Sequence, residues 1–535
     1  MRFADLAISS PCKGEVRRGA APTTDSHARS QKRQKPIRPK ARRPRGFEDK
    51  PADVIRAERG LVRAASEVYE RWGFDPLETP AFEFADALGK FLPDEERPNE
   101  GVFALQDDDE QWMALRYDLT APLARYVAEN FDPLTKPFRR YQFGSVWRNE
   151  KPGPGRFREF IQCDADAVGA PGPAADAEMI AIAAEIMEAA GLARGEYVVR
   201  VNDRRLLDGI LEEIGVPSTA DGAHQRLRVL RAIDKLDRLG PDGVRLLLGE
   251  GRKDESGDYT EGAKLSSEGV DAVLGVLGAG DGDGARDATI AVLEERLFRT
   301  EVGRAGLQAL IEIDRLLSTM GLGEDRVAFD PTVVRGLGYY TGPVFEAELL
   351  LEIENDAGQS VRVGSVGGGG RYDDLVARFR GQETPATGFS FGVSRFAAAL
   401  RLAGRGDAAA GDDLAVILAL EPDQMADYFA LAAMLRAPAA DGGAGMRAEV
   451  YLGGGKNMGK QLKYADRRGA RFAVMIGEDE RAAGTVTVKD LTRGAELSKE
   501  VETRAEWVAA RPAQETIPRD GLVSWVRGTR MEQEL

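Results

Sequence analysis

Residues 138–169 read FRRYQFGSVWRNEKPGPGRFREFIQCDADAVG, two strand-like runs joined by a loop rich in Gly and Pro. The pattern predicts strands over 138–149 and 157–168. In the second run a period of two places Arg158, Phe160, Gln162, Asp164 and Asp166 on one face, with Glu159, Ile161, Cys163, Ala165 and Ala167 on the other. An ordinary half-buried strand has an apolar face and a scattered polar one. Here the polar face is a guanidinium, an aromatic ring, an amide and two carboxylates in line. Arg148 ends the first run and Arg156 leads into the second. Two readings follow: an arginine–carboxylate ladder across the hairpin, or a floor holding an anionic group at one end and a cationic one at the other.

The surrounding chain sets bounds on that site. At 535 residues, roughly two to four domains are expected. No apolar run reaches about 18 residues, so no membrane-spanning helix is indicated. The net charge of -15 is uneven: residues 1–46 hold 13 Lys/Arg against 3 Asp/Glu, which leaves -25 for the remainder. So acidic a body excludes nucleic-acid binding through bulk charge and leaves only local basic patches. Two cysteines, Cys12 and Cys163, make neither a disulfide framework nor a zinc site and suit a reducing cytoplasm. With His27 and His224 as the only histidines, a His base or a multi-histidine metal site is not expected.

Along the chain, residues 1–46 read as a disordered basic tail. Apolar periodicity predicts helices over 51–73, 119–130 and 174–191. After the strand GEYVVRVND comes a helical block, about 204–320, broken by Gly-rich polar loops; it reads as an insertion between strand-rich parts. Strands return at 326–351, 360–367 and FSFGV, and a helix starts near Ser394. The small, polar segment LAGRGDAAAGDD reads as a linker. A strand–helix alternation from 413 to about 490 then predicts a separate α/β domain. The domain boundaries expected are 47–405 and 412–510, with 511–535 as a C-terminal tail.

Beside the hairpin, three more arginine-bearing elements stand next to glycine or a strand end. They are Arg335 in VRGLGYYTGPVFE, Arg371 after the glycines 367–370, and Arg395 in FGVSRFAAAL. A glycine run in a strand marks a close backbone approach. A cation in the first turn of a helix opposes the dipole unless an anion sits between them.

Taken together, these segments resemble class II aminoacyl-tRNA synthetases, and specifically the histidyl-tRNA synthetase family, from about residue 50 to about 500. FRRYQFGSVWRNE…GRFREF resembles motif 2, FGVSRFAAAL motif 3, and the stretch around Pro80 the dimer-forming motif 1. RGLGYYTGPVFE and GGGGRYDDL resemble the two histidine-specific signatures, with LRYDLTAPLARYVA and QCDADAVG in support. The resemblance implies an α+β fold: an antiparallel-sheet catalytic domain with a helical insertion and a C-terminal α/β anticodon-binding domain.

It also implies an ATP-dependent histidine–tRNA ligase with Mg2+, acting as a homodimer on tRNA(His). Arg335 and Arg148 are then the catalytic residues. Asp118, Leu119, Thr120, Arg148, Gln162, Asp166, Arg335, Tyr339 and Tyr340 bind histidine; Arg148, Glu150, Arg156, Arg158, Phe160 and Arg395 bind ATP. No residue is assigned to a protein-held metal. Gly338 stands where the family usually carries an acidic residue. Lys456, Lys460, Lys463 and Arg467, spaced 4, 3 and 4 apart, are expected to share one helical face toward tRNA. Competing expectations are a non-catalytic regulatory paralogue of the ATP phosphoribosyltransferase type and a class II synthetase for another amino acid.

Overall fold

The computed structural model describes residues 40–91, 101–153, 157–253, 257–280, 285–296, 298–334, 340–354, 360–405, 414–438, 445–497 and 513–534. Its largest sheet has eight strands, labelled here in chain order: β1 Asp75–Pro76, β2 Phe138–Trp147, β3 Glu159–Val168, β4 Tyr197–Asp203, β5 Val327–Phe329, β6 Pro343–Glu354, β7 Ser360–Arg371 and β8 Ala386–Gly392. The spatial order is β1-β2-β3-β8-β7-β6-β4-β5. Only the edge pairs β1–β2 and β4–β5 are parallel; every interior pair is antiparallel.

The strand alternation expected for the hairpin is what the fold uses. Cys163, Ala165, Ala167 and Tyr141 face a buried apolar core. That core is closed by three helices on the back of the sheet: α1 Ala52–Arg71, α3 Pro173–Ala189 and α4 Val393–Leu402, with α2 Thr120–Glu129 lying elsewhere in the same domain. In α1 the buried residues Leu61, Ala65, Val68 and Tyr69 recur at helical spacing, and Tyr69 stacks on Tyr141 with ring centroids 5.5 Å apart. Pro173 opens α3 at a position where its missing N–H costs nothing. That helix is buried on nearly every side, from Ala177 to Met187, as an element covered by a sheet and a further helix must be.

Among the described residues of 204–320 there are six α-helices, from Arg204–Glu213 to Glu301–Thr319, with the short hairpin Gly251–Lys253 and Tyr259–Glu261 between them. His224 lies exposed on the helix Ala220–Ile233.

The C-terminal sheet contains β9 Leu414–Ile417, β10 Arg447–Val450, β11 Phe472–Met475, β12 Thr485–Asp490 and β13 Gln514–Pro518, in the order β10-β9-β11-β12-β13. Its first three neighbours run parallel and the last two pairings are antiparallel. The expected limit at 510 falls short. β13 pairs with β12 from Thr485 to Lys489, and Leu522 and Val526 of the helix Leu522–Glu534 complete the core. An edge strand of five residues with one buried side chain leaves too little apolar pattern to be read from sequence.

The N-terminal limit also shifts slightly. Arg45 already belongs to the folded unit, and the Gly46 carbonyl accepts the Arg158 N–H at 2.8 Å. Residues 1–39, with Cys12 and His27, lie outside the described residues, as does most of the linker. Among the described residues no helix is long and apolar enough to cross a membrane.

Candidate active site

Register turns the polar face of β3 into rows that run across the sheet. Asp166 stands opposite Arg140 of β2 on one side and Gly388 of β8 on the other, and Gly388 stands opposite Gly370 of β7. In the next row Gln142, Asp164, Ser390 and Gly368 are aligned, and beyond it Gly144, Gln162 and Gly392.

The glycines are there because the face is crowded. A Cβ on Gly388 would stand 2.1 Å from Asp166 Oδ1, and one on Gly370 would stand 2.9 Å from the Tyr340 ring. Tyr340 therefore lies over the sheet in the row of Asp166. Glycine gives the ring and the carboxylate the space a side chain would occupy.

Asp166 is buried, with an arginine beside it. Arg140 Nη2 lies 2.7 Å from Asp166 Oδ2, and both side chains are almost completely enclosed. The contact is ionic rather than a well-angled hydrogen bond, so Oδ2 keeps its acceptor capacity open among the described residues. Arg140 Nη2 also donates to the Leu119 carbonyl at 3.0 Å, and the Tyr372 hydroxyl donates to Asp166 Oδ1.

Burial pushes the Asp166 carboxyl above the usual range; Arg140 and the Tyr372 hydrogen bond pull it back, while Asp118 adds to the rise. Burial followed by the neighbouring Asp166 charge holds the Tyr372 phenol well above its ordinary value, so it stays a donor. Asp118 accepts the N–H groups of Thr120 and Ala121 at 3.1 and 2.9 Å, fixing the start of α2.

Arg148 sits at the other end of the floor. Its guanidinium lies 4.4 Å from the Tyr117 ring centroid and 5.0 Å from that of Phe160, a cation–π contact with each ring. The Tyr117 hydroxyl donates to Glu150 Oε1 at 3.0 Å, so Glu150 is tied to the same cluster while remaining exposed. Arg158 Nε donates to the Glu150 carbonyl at 3.0 Å, and its stem packs against Gly46. Arg395, in the first turn of α4, is exposed and donates from Nη2 to the Val363 carbonyl at 3.1 Å. Arg156, Arg335, Gly338 and Tyr339 lie outside the described residues.

One of the four arginine elements is not part of this face. Arg371 follows Gly370 by one residue in β7, so the pleat turns it to the back of the sheet. There it bonds Asp176 Oδ2 of α3 through Nε and Nη2, at 3.0 and 2.8 Å, and the Ala170 and Gly172 carbonyls. It is a buried strut between sheet and helix, already neutralised.

In the C-terminal domain, Lys460, Lys463 and Arg467 share the exposed side of α5 Met458–Arg467, opposite the buried Gln461 and Ala465. Lys456 does not join that helical face. It precedes Asn457, whose side chain caps the helix by accepting the Lys460 N–H at 2.9 Å.

The chain matches the histidyl-tRNA synthetase family model over residues 46–396 and an anticodon binding domain model over 415–528. The chain belongs to the histidyl-tRNA synthetase family. A curated relative, the histidine–tRNA ligase of Caulobacter vibrioides, is 59% identical over 92% of this chain and 97% of its own length. The corresponding ligase of Rhizobium leguminosarum is 55% identical, covering 93% and 96%. The crystal structure of histidyl-tRNA synthetase from Nostoc sp. PCC 7120 superposes with a TM-score of 0.70 at 28% identity, covering 92% of this chain and all of that one.

For a synthetase-family site, the sequence reading missed Arg140, Tyr372 and Ser390. Arg140 was within reach, since hairpin register and the period of two set it opposite Asp166. Ser390 comes from β8, whose pairing to β3 no local pattern reveals, and Tyr372 follows the end of β7, two strands away from β3.

Proposed function

We propose that the chain is a histidine–tRNA ligase: it activates L-histidine with ATP to histidyl-adenylate and transfers the histidyl group to the 3′ end of tRNA(His). The observation that carries this is the Arg140–Asp166–Tyr372 cluster, which holds a buried carboxylate in the sheet row over which Tyr340 lies. An imidazole N–H adds a further donor to that carboxylate and an apolar side chain adds none, which is how such a pocket discriminates. The folded anticodon domain, from β9 to the helix Leu522–Glu534, weighs against a regulatory paralogue that lacks one.

At the Asp166 end, Asp118, Thr120 and Gln162 take the ammonium, and Asp166 with Tyr339 and Tyr340 takes the ring. The histidine carboxylate then points toward Arg148 and attacks the α-phosphorus of ATP, with pyrophosphate leaving. Arg148 and Arg335 neutralise the charge that develops on the transferring phosphoryl group. Contacts with the Tyr117 and Phe160 rings hold Arg148 in place before substrate arrives, so less ordering remains to be done in the transition state. Phe160 stacks adenine; Arg156 and Arg158 meet the ATP phosphates, and Arg395 closes the γ-phosphate side.

Mg2+ bound with ATP supplies charge neutralisation on the phosphates. Glu150, an exposed carboxylate tied to Arg148 through Tyr117, suits the oxygen-donor role such an ion takes. Among the described residues no group of three or more His, Cys, Asp or Glu is arranged to hold a metal by itself.

Lys460, Lys463 and Arg467 contact the tRNA backbone, with Lys456 flanking them. Replacing Lys460 and Lys463 together by Ala raises KM for tRNA and leaves ATP–pyrophosphate exchange intact; unchanged tRNA kinetics would contradict the assignment. A homodimer is supported by an exposed apolar face near Pro80. Phe82, Phe84 and Leu105 share one side of the small sheet Phe82–Phe84, Ala104–Gln106 and Trp112–Leu115, together with Met113 and Leu115. Sedimentation is expected to give twice the chain mass of 58.0 kDa, and a monomer would exclude this interface.

A further inference from the structure

Asp164 is the one member of the β3 polar line to which the catalytic reading gives no task. It is buried, and it faces Ser390 of β8 in register. Gln162, two residues earlier, donates from Nε2 to Ser390 Oγ at 2.6 Å, and Ser390 Oγ donates to Asp164 Oδ1. With Asp164 ionised, the direction of this chain follows from proton counting. A serine hydroxyl has one proton and a carboxylate has none to give. With that proton committed to Asp164, Ser390 meets Gln162 only as an acceptor, and the Gln162 NH2 is the only part of the amide able to donate. The amide oxygen is thereby turned the other way.

Two atoms are left over by this arrangement. Gln162 Oε1 and Asp164 Oδ2 are both buried and have no hydrogen-bond partner among the described residues. Both are acceptors, and the negative charge of Asp118 is felt at Asp164 as well. A buried acceptor without a donor costs free energy, and a small cationic donor that reached them would remove that cost.

We propose that Asp164 and Ser390 are positioning residues that lock the Gln162 amide with its carbonyl oxygen toward the substrate's α-ammonium group. This rests on the histidine-binding reading above and deepens it, because it names what sets the polarity of the ammonium subsite. Burial pushes the Asp164 carboxyl up to about 8, against the pull of Arg140 and the Ser390 hydrogen bond, and Asp166 and Asp118 add to the rise. An ammonium brought to this place favours the ionised carboxylate, which is the form that keeps the serine proton committed.

The test compares two ligands that differ in the group concerned. Histidinol keeps the ammonium and lacks the carboxylate; imidazole-4-propionate keeps ring and carboxylate and lacks the ammonium. Inhibition constants for both are measured against histidine-dependent exchange in the full-length enzyme, its Ser390→Ala variant and its Asp164→Asn variant.

In Ser390→Ala the KM for histidine and the Ki for histidinol rise together, by about 10-fold or more, the effect of one hydrogen bond to a charged group. The Ki for imidazole-4-propionate and the KM for ATP stay unchanged. Asp164→Asn gives a larger loss of the same pattern, since its amide brings a donor into a subsite built of acceptors. Equal weakening of both inhibitors, or no change in either, would overturn the proposal. Ser390→Ala removes a single hydroxyl and decides the matter by itself if Asp164→Asn fails to fold. Absence of histidine-dependent exchange in the unmodified enzyme would instead overturn the functional reading on which the proposal stands.

Discussion

Arg148→Ala is expected to lower the rate of histidine-dependent ATP–pyrophosphate exchange by about 1,000-fold, the scale of removing a preorganised donor from a phosphoryl-transfer site. The side chain does two things that alanine cannot. It carries the positive charge, and it lies against the rings of Tyr117 and Phe160, at 4.4 and 5.0 Å from their centroids, so the charge is already in place. Arg148→Lys separates these contributions. A lysine keeps the charge but is a flexible point donor that loses the planar stacking, so it recovers only part of the rate. A loss smaller than about 10-fold in Arg148→Ala, well below that scale, would remove Arg148 from the reaction.

The second large effect is expected at a residue that need not touch ATP at all. Arg140 is the most completely buried large side chain of the hairpin and lies 2.7 Å from Asp166 Oδ2. Arg140→Met leaves an enclosed carboxylate with no counter-charge, a change of about 3–5 kcal/mol in typical cases. The carboxyl, already held above its usual range by burial, then loses the pull of Arg140 and shifts further toward its neutral form. Its charge, the feature that favours an imidazole N–H, is lost. Histidine affinity is expected to fall about 100-fold or more, on the free-energy scale of about 1.4 kcal/mol per factor of ten. ATP binding at the Arg148 end is unaffected. Calorimetric titration with each ligand separately checks this; a histidine affinity within a few fold of the unmodified enzyme would contradict the assigned role.

These two residues also show which parts of the molecule were legible in the sequence. The hairpin was, because a buried antiparallel strand repeats every two residues and its two faces differ in chemistry. Cys163, Ala165 and Ala167 went to the core and Phe160, Gln162 and Asp166 to the site face as expected. The α/β alternation of the C-terminal domain and the helical nature of residues 204–320 were legible for similar reasons of local periodicity.

What sequence did not disclose was non-local register. Arg371 sits next to four glycines and reads like a ligand-binding arginine, yet a one-residue step along a pleated strand decides the face. That step put it against Asp176. Ser390 is as inconspicuous in FSFGV as any serine, and only the pairing of β8 with β3 sets it between Gln162 and Asp164. Lys456 continued a basic spacing that looked helical, but an Asn cap started the helix after it. β13 went unseen because an edge strand with one buried side chain carries no apolar period.

The central claim is that this site takes histidine and no other amino acid into reaction with ATP. Exchange of labelled pyrophosphate into ATP, measured on the purified full-length protein with each amino acid in turn, tests it most directly. The account predicts exchange that depends on histidine and is absent with proline or threonine. No exchange with histidine, or equal exchange with proline, would contradict it.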